Sequence, residues 1–142
     1  MGSIIDANVQ LQAILDYVRT TILNTANTYV HLYKNNFTPT AASVLADFTE
    51  ATFTGYAAVQ VNSKFASVYK VIDGEYQTDS SAFTFNCTGG SSQDAYGWYL
   101  TFYDGVATTV RKSGKFTTPL TFVNGSSFNI QLSPQEWALI LL

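Results

Sequence analysis

Apolar residues at Leu11, Ile14, Leu15, Val18 and Ile22 recur at the three-and-four spacing that lines one face of a helix. Asp6 is placed to cap the start of such a helix, and Asn24 and Asn27 are placed to stop it. Val9, Leu11 and Ala13 also alternate, so an extended arm is the competing reading of the same stretch. From residue 28 onward the period falls to two. Tyr29-Val30-His31-Leu32-Tyr33-Lys34 is rich in aromatic and β-branched residues and reads as a half-buried strand. Asn35-Asn36-Phe37-Thr38-Pro39-Thr40 breaks it, because proline has no N–H for a ladder and asparagine favours turns.

Residues 41–56 are the least strand-like part of the body. Asp47 or Thr49 is placed to cap a single helical turn through Glu50, Ala51 and Phe53 that ends at Gly55. Further strands are expected near 56–62, 66–72, 81–87, 96–103, 106–111, 119–123 and 126–132. Between them lie the turn signals Asn62-Ser63, Asp73-Gly74, Gly89-Gly90-Ser91-Ser92, Asp104-Gly105, Ser113-Gly114 and Asn124-Gly125. Asp104-Gly105 and Asn124-Gly125 are the strongest, since both residue types tolerate positive φ and suit tight hairpins. Short strands at this spacing predict a mainly β fold, a β-sandwich or barrel of about eight antiparallel strands behind an N-terminal helix or arm. The expected parts are the helix or arm at 1–27, the β body at 28–132 and a hydrophobic tail at 133–142, the tail reading as a last strand or a short helix.

The chain has 142 residues, the size of one domain. Charged residues make up 12%, about half the usual share, and aromatic residues 15%. Thr, Ser, Asn and Gln fill the gap. A surface rich in hydroxyls and amides but poor in charge does little to keep identical subunits apart, and suits a protein covered by neighbours. Net charge is −3 with only seven Lys and Arg, which argues against a nucleic-acid partner, because phosphate binding needs clustered Lys and Arg. The one basic cluster, Arg111, Lys112 and Lys115, is expected on a solvated turn. The start lacks a signal-peptide pattern, and no apolar run approaches the ~20 residues of a membrane span, so a soluble chain with no membrane partner is expected.

Chemistry has few carriers here. A Ser-His-Asp arrangement would need His31, the one histidine, which alternates with Tyr29 and Tyr33 and is expected to be a packed or surface residue rather than a catalytic one. Cys87 is alone, so no intrachain disulfide or cysteine metal cluster forms, and in Phe83-Phe85-Cys87 its default is a small buried hydrophobe. Asp73-Gly74-Glu75 with Asp79 lacks the alternate acids of a calcium loop. Thr88-Gly89-Gly90-Ser91-Ser92 lacks the lysine of a phosphate loop. Asn36, Asn86 and Asn124 open Asn-x-Ser/Thr triplets that fit an Asn/Thr-rich chain by coincidence. No catalytic residue, metal site or cofactor is expected. The aromatic residues stand out instead. Tyr96, Trp98, Leu100 and Phe102 alternate on one face of a strand, with Tyr99 and Tyr103 on the other, as in a central strand or one covered by a partner. Trp137, Leu139 and Leu141 give the tail a sticky face. The expected interface residues are therefore Leu11, Ile14, Leu15, Val18, Ile22, Tyr96, Trp98, Tyr99, Trp137, Leu139 and Leu141.

Val30-His31-Leu32-Tyr33-Lys34-Asn35-Asn36-Phe37-Thr38-Pro39-Thr40, continued by Leu45-Ala46-Asp47-Phe48-Thr49-Glu50-Ala51-Thr52-Phe53-Thr54-Gly55-Tyr56-Ala57, resembles a pattern in small virion structural proteins of tailed bacteriophages. The strand Tyr96-Gly97-Trp98-Tyr99 and the late turn Asn124-Gly125 are similar to its second half, so the resemblance spans about residues 28–132. The segment from Ser133 to Leu142 departs from it. The resemblance implies a virion component assembled in the host cytoplasm and brings no catalytic residues. The leading expectation is a capsid decoration, or cement, protein that partners itself as a trimer and binds the major capsid protein or another virion protein. The alternative is a tail, neck or fibre component, including a glycan-binding host-recognition module that uses Tyr96, Trp98 or Tyr99. A small hydrolase built on His31 with Cys87 or Asp47 is the remaining reading and requires those side chains to converge.

Overall fold

The computed structural model describes residues 25–62 and 82–131, together with Thr21, Tyr69–Lys70 and Tyr76–Gln77. Leu11, Ile14, Leu15, Val18 and Ile22 of the expected N-terminal helix, the Asp73-Gly74 turn, and Trp137, Leu139 and Leu141 of the tail lie outside the described residues. The fold is mainly β. Its strands among the described residues are β1 Thr28–Tyr33, β2 Val59–Gln60, β3 Tyr69–Lys70, β4 Tyr76–Gln77, β5 Phe83–Asn86, β6 Gln93–Tyr103, β7 Thr108–Phe122 and β8 Ser127–Ile130. They form an antiparallel sheet in the order β2-β1-β6-β7 and two strand pairs, β3-β4 and β5-β8.

Alternation decides which side chains go inside. In β5 Phe83 and Phe85 are buried while Thr84 and Asn86 are exposed. These rings meet Val30 and Leu32 of β1, Leu100 of β6, Phe122 of β7 and Ile130 of β8 in the main core, with Ala51, Phe53, Val61, Cys87 and Ala95. Phe53 stacks on Phe122 with ring centroids 4.1 Å apart. Each fully buried ring of this kind stabilises the fold by roughly 1.5–3 kcal/mol relative to exposure. A second cluster is made by Tyr33, Phe48 and Tyr99, with Phe37, Tyr96 and Val110 packed against it.

Strand β6 does not keep one alternation. Ala95 and Trp98 both pack on the main core, whereas Tyr96 packs with Tyr99 in the second cluster, so Tyr96 does not share a face with Trp98 and Leu100. A spacing of three cannot arise in a regular strand. The ladder with β7 shifts register between Ala95 and Gly97, where Ala95 faces Leu120 but Gly97 faces Lys115. Residues 116–119 of β7 thus lie opposite Tyr96 alone, and this places Pro119 where no ladder N–H is required.

The expected turn at Ser113-Gly114 is absent: β7 runs straight through it as one strand of 15 residues. Gly114 pairs with Trp98, and a Cβ there would come within 2.6 Å of the indole Nε1, so this glycine serves a close approach. Arg111, Lys112 and Lys115 consequently lie within a strand rather than on a solvated turn. Arg111 is the extra residue at a second register shift, and its guanidinium lies 5.3 Å from the Phe102 ring centroid. Lys115 Nζ donates to Asn36 Oδ1 at 3.0 Å. Asp104-Gly105 does make the β6–β7 hairpin, with Gly105 at φ 100°. Asn124-Gly125 does not make one, because β8 pairs with β5 and the turn carries the chain between sheets. Gly125 N–H donates to Cys87 O at 2.8 Å and fixes that crossing.

The helical turn expected over 49–53 sits earlier, as one 3₁₀ turn at Leu45–Asp47. Asp47 Oδ2 accepts from Val44 N–H at 2.9 Å, so Asp47 closes the turn that contains it. Residues 49–51 run extended beside β1, with Lys34 N–H donating to Thr49 O at 2.8 Å and Ala51 N–H to Leu32 O at 2.9 Å. Burial of both Ala51 and Phe53 in one core demands a period of two there, and this overrides the local helix signal.

Candidate functional site: the His31 clasp and two exposed ends

One side of β1 is paired with β6 along its length. On its other side β2 pairs with Tyr29 and Val30, and the 49–51 segment takes over at Tyr33. Between these neighbours the Leu32 N–H donates to the Tyr56 hydroxyl at 3.1 Å. That hydroxyl donates in turn to Glu50 Oε2 at 2.7 Å. Glu50 Oε2 holds His31 Nδ1, and His31 Nε2 bonds Thr101 Oγ1 at 2.8 Å. The imidazole stacks on Tyr99 with centroids 4.6 Å apart and 10° between planes. Strand β1, the 49–51 segment and β6 are therefore tied through one ring. Burial pushes the phenols of Tyr56 and Tyr99 well above their usual range, with the Glu50 charge adding to each, and raises Tyr33 to about 12. All three are neutral near pH 7.

Thr101, His31 and Glu50 stand in the order hydroxyl, imidazole, carboxylate found in acyl-transfer enzymes. The surroundings suit a clasp better than a nucleophile. Thr101 is 3% exposed and sits mid-sheet between Tyr29 and Val110. Neither residue weighed as a partner for His31 joins it. Cys87 is buried in the main core with Sγ donating to Gly89 O at 3.4 Å, and Asp47 is held by the Val44 N–H. Among the described residues no group of His, Cys, Asp or Glu is placed to hold a metal ion, and no helix is long and apolar enough to cross a membrane.

The three aromatic residues of β6 expected at an interface are largely engaged within the chain. Tyr99 is 3% exposed, stacked between His31 and Phe48. Trp98 is half-buried on the main core and Tyr96 half-buried on the second cluster. No family model, curated protein or solved structure matches the chain. What the chain presents outward must be read from its own surface. Tyr29 and Tyr103 are 37% and 45% exposed, and Val106 is 90% exposed. Tyr103 N–H donates to Asn27 O at 3.1 Å, which sets both tyrosines at the start of β1, beside the 104–107 hairpin tip. At the other end of β1, the loop carrying Val44, 58% exposed, and Leu45, 40% exposed, packs Phe37 and Phe48 on Tyr33. Tyr103 had one sequence signal, its position next to Asp104-Gly105, which puts the last strand residue at a hairpin tip. Val44 and Leu45 had none.

Proposed function

We propose that this chain is a non-enzymatic virion structural protein, a capsid decoration protein that strengthens a phage head through contacts with itself and with the major capsid protein. In this reading the two sheets that share the main core close as a β-sandwich. The observation that carries the proposal is the placement of large apolar side chains, Val44, Leu45, Tyr29, Tyr103 and Val106, on the exposed surface of a charge-poor chain. Such groups on hydrogen-bonded turns give contact area without a large ordering cost. Occupation of both His31 nitrogens and burial of Thr101 support a structural role for the one histidine. The phage-like stretch from Val30 to Ala57 supports the virion setting. The test is a mass count of this chain per purified particle, calibrated against the major capsid protein. Hundreds of copies in a simple ratio support decoration, and a few dozen or fewer remove it.

One observation favours a second reading, a glycan-binding component of a tail, neck or fibre. Tyr103 stands exposed beside a hairpin tip, where an aromatic face can stack on a sugar ring. Glycan titration of the intact protein followed by tyrosine fluorescence separates the two, since decoration needs no sugar affinity.

A further inference from the structure

We propose that Asn124 is a latent deamidation site, held shut by the hydrogen bond from the Gly125 N–H to Cys87 O, so that its conversion to aspartate and isoaspartate records opening of the crossing between β8 and β5. The inference goes beyond the decoration reading and does not depend on it.

Asparagine is chemically labile where the next residue is glycine, because a backbone nitrogen with no Cβ beside it can reach the side-chain amide. Asn124-Gly125 is the one such pair in the chain. In the reaction the Gly125 nitrogen gives up its proton and attacks Cγ of Asn124. The new C–N bond closes a succinimide ring, the Cγ–Nδ2 bond breaks, and the side-chain nitrogen leaves with the proton as ammonia. Water then opens the ring at either carbonyl, which gives aspartate or isoaspartate.

The surface supplies everything this reaction takes except the nitrogen. Asn124 and Gly125 are both exposed, and a Cβ at Gly125 would meet nothing within 4 Å, so water and hydroxide reach the turn. The nitrogen is withheld. Gly125 N–H donates to Cys87 O at 2.8 Å, which directs its proton into the crossing and away from solvent base. The turn around it is closed, with Ser126 N–H donating to Val123 O at 2.8 Å and Val123 N–H to Ser126 Oγ at 3.0 Å. Cys87 is buried in the main core, and its own N–H donates to Ser126 O at 2.9 Å, so the accepting carbonyl is anchored. Strand β8 follows at once, with Ser127 opposite Asn86. While β8 lies on β5 the nitrogen stays on Cys87, and a free Gly125 N–H means that the crossing has opened. The product then changes the latch. Isoaspartate carries the main chain through Cγ and adds a methylene between Val123 and Ser126, two residues that bond each other, so the turn does not close again as before.

The experiment incubates the full chain at mildly alkaline pH, folded and in guanidinium chloride. Loss of the Asn124 amide is followed by mass and located by fragmentation, and amide exchange at Gly125 is measured by NMR on the folded chain. Conversion is expected to be at least about tenfold slower in the folded chain than in the denatured one, a ratio set by how rarely the crossing opens. Exchange at Gly125 should be slowed by a similar factor relative to an unstructured amide, because both reactions wait on the same opening. Asn124→Gln, whose larger ring closes far more slowly, should remove the conversion and leave Gly125 protected. Equal rates of conversion in the folded and denatured chains overturn the proposal. So does a folded chain whose Gly125 amide exchanges freely while Asn124 stays intact, since something other than the bond to Cys87 would then protect it.

Discussion

The hydroxyl of Tyr56 takes the place of a strand neighbour for Leu32, accepting its N–H at 3.1 Å where β2 has ended and the 49–51 segment has not fully taken over. Backbone N–H groups inside a fold need a partner, and here a side chain supplies it. The same oxygen then donates to Glu50, so the repair of a sheet edge and the grip on His31 are one structure.

Tyr56→Phe should therefore destabilise by about 1–3 kcal/mol, the cost of leaving a buried donor unmatched together with a carboxylate that has lost one of its donors. Urea unfolding at neutral pH measures it. A loss below the error of the midpoint would mean that the Leu32 N–H finds water instead.

His31→Ala should loosen the 49–51 segment while leaving the main core intact. Hydrogen exchange at Lys34 and Ala51, whose N–H groups bond Thr49 O and Leu32 O, should accelerate, and exchange at Cys87, bonded to Ser126 O, should not. Equal acceleration at all three would show that His31 acts on the whole fold.

Alkali should unfold the protein through its buried phenols. Tyr33 has a folded pKa of about 12, above its ordinary value of 10.0, and Tyr56 and Tyr99 are raised further by burial. A raised folded pKa gives stability that is complete below the unfolded value and is lost as pH climbs through the folded one. Stability should hold to about pH 10 and fall toward pH 12, and Tyr33→Phe should shift that fall upward. Phenolate absorbance against pH reads this directly.

Acid acts on the hairpin. Two backbone N–H groups, of Ala107 and Val106, hold the Asp104 carboxyl below its usual range, so its contribution is present above the unfolded pKa and disappears as pH falls through the lower folded one. Asp104→Asn should flatten the acid side of the melting profile without moving the alkaline side. A profile unchanged below about pH 4 would place the acid sensitivity elsewhere.

Gly97→Ala should be among the most damaging single-methyl additions in the chain, since its Cβ would lie 2.2 Å from Gly114 O and 2.4 Å from the Tyr33 hydroxyl. Overpacking of this kind costs about 1–3 kcal/mol. Gly114→Ala strikes the Trp98 indole instead, and adding Trp98→Leu should recover part of its loss. Thermal melting of the single and double variants decides whether that recovery occurs.

Strands β5 and β8 were legible because each alternates over a short span, β1 because of its aromatic and β-branched content, and Asp104-Gly105 because its turn is local chemistry. The rest was settled by partners distant in sequence. Gly114 looks like a turn residue until Trp98, paired with it across the ladder, claims the space a side chain would fill. Residues 49–53 carry helix-cap signals, yet Ala51 and Phe53 are drawn into the core as an extended run. Tyr99 reads as an interface residue by its bulk, and its burial comes from Phe48, held over it by a loop that no periodicity marks. The sequence left His31 as either packed or on the surface, because its partners Glu50 and Thr101 are 19 and 70 residues away.

The mismatch between β6 and β7, in which residues 116–119 face Tyr96 alone, has a consequence for how the chain tolerates change in length. Elsewhere in this ladder, apart from the one-residue shift at Arg111, an added residue would turn each following side chain to the wrong face. Here the ladder already skips, and Thr117 and Thr118 are exposed. We expect residues gained or lost between those two threonines to leave the pairs on either side in step, which makes this short stretch the natural place to insert a foreign epitope.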